Sequence, residues 1–200
     1  MVNNRKGDSM KRICWYVVIA LLVPFIVSCA PGYMIVREPI SRPSEGKALV
    51  NFLRPSGYGG VAKATIWDGD KLIGMSFGKQ RFQYECASGK HLFIAWSEYK
   101  SPVEAELLPG RVYYIVLRIR MGMWRGRIHQ VPVNKQHPLW EKVLMWQQTV
   151  PNYTVDPKAL VAAEAEGKPK ILEYLKYYES KVKGTKHVLY VRPEDGIIIE

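Results

Sequence analysis

From Lys47 to Val133 the chain is a succession of short β-prone runs, each closed by Gly, Pro, Asp or Ser. This punctuation constrains the fold more than any other feature, because turn signals at intervals of about 8 to 12 residues belong to all-β sandwiches and barrels. Strands are expected near 47–54, 61–68, 71–77, 80–86, 90–98, 102–108, 111–120 and 124–132. Asp68-Gly69-Asp70 should join the second and third as a tight turn, with Gly69 free to take the positive φ that a two-residue hairpin loop requires. Ala87-Ser88-Gly89 and Pro109-Gly110 punctuate in the same way. In the seventh run Tyr113, Ile115, Leu117 and Ile119 share one face. Val112, Tyr114 and Val116 share the other, ahead of Arg118 and Arg120. A strand that is apolar on both faces belongs in the middle of a sheet.

After Val133 the pattern changes. Pro138 is expected to open a short helix whose Trp140, Val143, Leu144 and Met145 cover the β-domain, with Trp146 close behind. Asp156-Pro157 is a stronger helix start, an N-cap followed by proline at the first helical position. That helix should run through Ala159–Ala163 and break near Gly167. A second is expected from about Pro169 to Lys183, stopping at Gly184, with Ile171, Leu175, Tyr178 and Val182 stacked along one side. His187 to Val191 reads as a last strand. The expected fold class is mainly β, an antiparallel β-sandwich over residues 47–133. Residues 134–200 form a helical extension packed on it.

The N-terminal segment has a different logic. Lys11 and Arg12 precede an apolar run from Ile13 to Val27, which the small residues Ser28, Cys29 and Ala30 close. That order, charged then apolar then cleavable, is the order of a secretory signal. The run contains Pro24 and falls short of the roughly 20 apolar residues that span a bilayer as a helix, so a permanent transmembrane anchor is the weaker reading. Translation from Met1 or from Met10 would give the same mature chain. Ile26-Val27-Ser28-Cys29 resembles the lipobox of bacterial lipoproteins. That resemblance implies cleavage between Ser28 and Cys29 after the Cys29 thiol has been diacylated, with acylation of the freed amine to follow. Two or three acyl chains give a stable anchor where one does not. Cleavage at a nearby small residue, releasing a soluble protein, or no cleavage at all, are the competing outcomes. Residues 29–46, with Pro31, Pro39, Pro43, Ser41 and Ser44, read as a flexible tether.

Loss of residues 1–28 removes Arg5, Lys6, Lys11, Arg12 and Asp8 from 29 basic and 18 acidic side chains, leaving 25 and 17 and a net charge of +8 against +11 for the whole chain. Nucleic acid is nevertheless not an expected partner, because the signal takes the domain out of the cytoplasm. Of the 3 cysteines, Cys14 leaves with the signal and Cys29 carries lipid. Cys86 therefore has no intrachain partner. It follows Phe82 and Tyr84 at a spacing of two, which places it on their face of a strand as a buried small hydrophobe.

Ala48–Ser56 together with Ile66–Gly74 resembles the opening of an uncharacterised bacterial lipoprotein domain. Phe82-Gln83-Tyr84-Glu85-Cys86, Gly89-Lys90-His91 and Leu108-Pro109-Gly110-Arg111-Val112-Tyr113-Tyr114 fit the same pattern. The family is domain of unknown function 2846, and the similarity covers about Lys47 to Arg120. It implies an immunoglobulin/transthyretin-like sandwich, of the kind seen in small carbohydrate-binding or carboxypeptidase-regulatory-like modules, on an envelope lipoprotein. The family often has Pro-Gly-Lys-His where this chain has Ser88-Gly89-Lys90-His91, and Ser88 can still serve the turn. The pattern offers no catalytic residue to carry over.

Catalytic signatures are equally scarce in the residues themselves. His91, His129, His137 and His187 are scattered, with no His-x3-His or Cys-x2-Cys spacing, so neither a metal nor another cofactor is expected. No Gly-x-Ser-x-Gly elbow occurs. Ser56-Gly57-Tyr58-Gly59-Gly60 lacks the Gly-Lys-Ser/Thr ending of a phosphate loop and reads as an inter-strand loop. Glu104 and Glu106 would share a strand face, as a glycosidase pair could, but their alternation with Val103, Ala105 and Leu107 marks a solvated face. Lys170, Tyr174, Lys176, Tyr177, Tyr178, Lys181 and Lys183 give the last helix a basic, aromatic surface whose apolar stripe favours docking on the sandwich. The most suggestive surface is a predicted hairpin carrying Arg118 and Arg120 on one strand, and Arg125 and Arg127 on the next, around Trp124. Guanidinium groups so clustered can grip phosphate or carboxylate bidentately. Protection of a strand edge by charge is the plainer alternative.

The expectation from sequence is a non-enzymatic, lipid-anchored envelope module that recognises an anionic envelope component or another envelope protein. Ala30 in place of the aspartate that retains lipoproteins in the inner membrane favours the outer membrane, facing the periplasm. The rival is an enzyme acting on envelope glycans or lipids, with a site built from Gly57–Gly60 and His91 or His129. It requires Ser56, His91 and a carboxylate to converge.

Overall fold

The structure is a computed structural model that describes residues 34–57, 62–121 and 126–199. Ser28, Cys29, Trp124 and Arg125 lie outside the described residues. The described chain is mainly β. One sheet has the order β1 (Met34–Val36), β10 (Asn152–Val155), β5 (Gln80–Ala87), β2 (Lys47–Arg54), β8 (Arg111–Met121) and β12 (Ile197–Ile198), and β9 (Gly126–Val133) also pairs with β8. The other has the order β11 (Leu189–Val191), β7 (Lys100–Leu107), β6 (Gly89–Trp96), β3 (Ala64–Asp68) and β4 (Lys71–Ser76).

Strand alternation builds the core. Ala48, Val50 and Phe52 of β2, Phe82 and Cys86 of β5, and Tyr113, Ile115 and Leu117 of β8 all point one way. They share one apolar cluster with Ile66, Phe93, Ala95, Val103 and Ala105 of the second sheet. Phe52 stacks on Phe82 with ring centroids 4.8 Å apart and meets Phe93 edge-on at 5.4 Å. Gly74 permits this approach, since a Cβ there would stand 2.8 Å from the Phe82 ring. The opposite faces of the sheets each hold a helix. Leu49, Leu53, Val112, Tyr114 and Val116 pack with Val143 of α1 (Trp140–Thr149). Trp67, Leu72 and Ile94 pack with Ile171 and Tyr174 of α2 (Pro157–Tyr177) and with Tyr178 of the π-turn that ends it, Tyr178–Val182. β8 is a central strand, buried on both faces from Val112 to Leu117, as its composition requires. Asp68 and Lys71 close the β3–β4 hairpin, with Gly69 at φ 57°.

Several expectations need correction. The sheets are mixed rather than purely antiparallel, because β2 runs parallel to β8, β10 to β5 and β11 to β7. The first of these arises because β3, β4, β6 and β7 intervene in sequence between its members and lie in the other sheet. The anticipated tether does not extend to Gly46. Met34–Val36 pairs with β10, and the Gln83 side chain clasps Ile40, accepting from its N–H at 2.6 Å and donating to its carbonyl at 2.9 Å. The Ser44 N–H donates to Glu85 at 2.7 Å.

The C-terminal extension is not only helices: the strand expected from His187 to Val191 is present as β11, and β10 and β12, which are not among the expected strands, join the other sheet. Finally, α2 does not break at Gly167. Asp156 caps it, accepting from the Lys158 N–H at 2.9 Å, and the helix continues through Gly167 and Pro169 to Tyr177. The glycine serves packing, because a Cβ there would lie 2.5 Å from the Trp67 ring. Lys168 bonds the Asp70 carboxylate at 2.7 Å and its carbonyl at 2.9 Å, and Ile171 is fully buried. These anchors flank Pro169 and hold the helix across a residue that ordinarily kinks it. In α1, Val143 is buried as expected, whereas Leu144 and Met145 face outward.

Candidate functional site

The β8–β9 ladder places Arg118 opposite His129 and Arg120 opposite Arg127. Directly opposed residues share a face, as do residues two apart, so all four side chains emerge on one side. The intervening Ile119 and Ile128 turn inward to the core. Arg118, Arg120 and Arg127 are exposed, and none forms an ion pair with another described residue. His129 stacks against Tyr99 with centroids 4.7 Å apart. Burial, reinforced by Arg120 and Arg127, holds its pKa below the ordinary value, so at neutral pH the charge of this face comes from the arginines.

Beside this face, between β8 and α1, lies a cleft of about 300 Å³ lined by Arg54, Ser56, Arg118, Leu139, Lys142 and Trp146. Arg54 is 1% exposed, donates to the Ala62 carbonyl at 2.6 Å, and has its pKa lowered by burial. Lys142 comes from the outer turn of α1, and Trp146 from the side that covers Leu49, Leu53 and Val116. Cations grouped around an indole and a leucine suit an anion that carries an apolar portion. Period-two alternation predicts Arg118, Arg120 and Arg127. Register adds His129, and only the position of α1 adds Lys142.

The other sequence candidates are dispersed. Cys86 is a buried free cysteine in the inter-sheet core. His91 lies near the start of β6. Its Nδ1 lies 2.7 Å from Asp68 Oδ2 and its Nε2 2.9 Å from the Ala87 carbonyl. Both neighbours are acceptors, so the ring sits as the doubly protonated cation, and the Asp68 hydrogen bond raises its pKa to about 10. Tyr84 donates to the same carboxylate at 3.1 Å. This cluster ties the β3–β4 turn to the end of β5. Sequence gives no sign of it, because the partners come from different strands.

Ala87 pairs with Lys47 at the start of β2, while Ser56 follows the end of that strand. At about 3.3 Å per residue, Ser56 and His91 stand roughly 25 Å or more apart. The three groups required by the enzymatic alternative are therefore not brought together, and most of Gly57–Gly60 lies outside the described residues. Glu104 accepts a hydrogen bond from the Tyr178 hydroxyl, so it is covered rather than freely solvated. The expected stripe docks, with Ile171 and Tyr178 buried and Leu175 and Val182 packed against the same cluster, while Lys170, Lys176, Tyr177 and Lys181 turn outward; Tyr174, expected on the basic surface, is buried in that cluster as well. His137 Nδ1 accepts from the Leu139 N–H at 3.1 Å, and His187 is exposed. No group of three or more metal-ligating side chains occurs among the described residues.

Comparison with protein-family models, curated proteins and solved structures gives no match.

Proposed function

We propose that the protein is a lipid-anchored bacterial envelope lipoprotein whose folded part is a non-catalytic module for an anionic envelope component. The anchor reading rests on the signal-like segment ending at Ile26-Val27-Ser28-Cys29, and Ala30 supports residence in the outer membrane facing the periplasm. The scaffold reads as an immunoglobulin/transthyretin-like sandwich of the domain of unknown function 2846 kind. The apolar cluster common to both sheets supports it. A single observation carries the binding role: three arginines brought into register on β8 and β9 with no described carboxylate to neutralise them. They stand next to a cleft that adds Lys142 and Trp146. Solubility alone does not ask for guanidinium groups opposite one another, since like charges directly across a ladder destabilise it.

Two experiments test the two halves separately. Palmitate labelling with membrane fractionation should label the wild type and leave Cys29→Ala unlabelled and released; unlabelled wild-type protein would overturn the anchor. Crosslinked pull-down from envelopes should lose its anionic partner when Arg118, Arg120, Arg125 and Arg127 are all changed to Ser. Unchanged partners would remove the basic face from the proposal.

A further inference from the structure

A second cleft, of about 660 Å³, opens on the far sheet between the outer face of β6, β7 and β11 and the π-turn at the end of α2. Its size falls in the range of small-molecule sites, roughly 300–1,000 Å³. The floor follows from register. Leu92 lies opposite Glu104, Lys90 opposite Glu106, and Tyr190 beside Glu104 on the parallel β11 ladder. The wall is the π-turn, which brings Tyr178, Glu179 and Lys183 over that floor. Such turns recur at functional sites.

The charges in this cleft are balanced in number, which sets it apart from the rest of a chain carrying +11. Three cations, Lys90, Lys183 and Arg192, meet three carboxylates, Glu104, Glu106 and Glu179, and a fourth cation on the lining, His91, is answered by Asp68 at 2.7 Å. Lys183 pairs with Glu179 at 2.8 Å, Tyr178 donates to Glu104, and Lys90 faces Glu106 across the ladder. An anion entering here meets three carboxylates and a cation meets the lysines and the arginine, so neither sign of charge is favoured. What the cleft offers instead is a close array of donors and acceptors with little net field. Tyr190 adds an aromatic ring, and half of its surface is exposed. An uncharged ligand dense in hydroxyl groups matches both features: each hydroxyl donates and accepts, and the C–H face of a pyranose ring suits an aromatic platform.

We propose that this cleft binds a neutral oligosaccharide, with Tyr190 as the stacking platform and Glu106 and Lys90 as hydrogen-bonding partners. The proposal is independent of lipidation and of the basic face on β8–β9. The test is saturation-transfer NMR and calorimetry on the full chain in a non-glycosidic detergent, with chitotetraose, cellotetraose and maltotetraose as probes. At least one should receive saturation on its ring protons. Its affinity should fall tenfold or more in Tyr190→Ala, and several-fold in Glu106→Ala. It should be unchanged when Arg118, Arg120 and Arg127 are replaced by Ser. Both Tyr190 and Glu106 are exposed, and circular dichroism checks that the variants remain folded. Absence of transfer to all three probes, or affinity that survives Tyr190→Ala in a folded protein, overturns the assignment.

Discussion

Replacing His91 with glutamine removes a cation held between two acceptors, and the consequence depends on pH in a way that can be worked out in advance. The imidazole bonds Asp68 at 2.7 Å and the Ala87 carbonyl at 2.9 Å, and its pKa is raised to about 10 from an ordinary 6.5. Because the folded value lies above the unfolded one, the native state holds the proton more tightly. The stabilisation is complete below about pH 6.5 and is lost as pH rises through about 10. At about 1.4 kcal/mol per unit the ceiling is near 5 kcal/mol. The side chain is 13% exposed, and the remaining solvent contact reduces the expectation to about 2–4 kcal/mol, the scale of breaking a buried ion pair.

The groups bordering the ring are Asp68 and Cys86, with Tyr84 on the same carboxylate. Burial, then Asp68, pushes the Tyr84 hydroxyl well above its ordinary range, so it stays neutral across this window. Urea unfolding of wild type and His91→Gln at pH 6, 8 and 10.5 isolates the effect, because lysines and other tyrosines cancel in the difference. The gap should be about 2–4 kcal/mol at pH 6 and should close substantially by pH 10.5. A gap independent of pH would refute the cationic state, and nitrogen chemical shifts of a neutral ring at pH 8 would do so directly.

Three further perturbations follow from packing and capping. Gly167→Ala drives a methyl into the Trp67 ring, 2.5 Å from the nearest carbon. It should lower stability by about 1–3 kcal/mol despite better helix propensity, read from the urea midpoint. Gly196→Ala meets the Tyr113 ring at 2.5 Å and should loosen the C-terminal strand β12, measured as faster amide exchange at Ile197 and Ile198. Asp156→Ala loses the acceptor for the Lys158 N–H, and a cost of about 1 kcal/mol is expected, with Asp156→Ser recovering most of it.

Features set by local chemistry are legible in the sequence, and features set by distant partners are not. The Asp68-Gly69-Asp70 turn, the capping Asp156 and the two-faced β8 each declare themselves within a few residues. β1, β10 and β12 do not, because strands of two to four residues have too few side chains to show a period. They exist through pairings such as Ile35 with Thr154 and Ile197 with Val112. Gly167 and Pro169 read as a break because their intrinsic preferences oppose a helix. Tertiary anchors at Gly167, Lys168 and Ile171 override those preferences. For the basic face, alternation gives the three described arginines. Lys142 and Trp146 arrive from a helix whose docking position cannot be counted off the sequence. The second cleft was less legible still, since Glu104 and Glu106 look like an ordinary solvated pair until the π-turn is laid over them.

The edge strands bear on how the chain comes to be folded. β1 is the first strand along the described chain, yet its neighbour β10 follows α1, and β7 is flanked on one side only by β11, which follows α2. A chain delivered from its N-terminus therefore carries unpaired strand edges until almost all of it has emerged. Such edges invite pairing with other copies, and closing them late, through long-range ladders, antiparallel for β1–β10 and parallel for β11–β7, is slow. Ile35 and Val36, exposed on β1, come first among the apolar side chains of the described strands, apart from Met34, and would be among the last to find their place. A partner that shields nascent strands during delivery would therefore matter more to the yield of this protein than to its final stability.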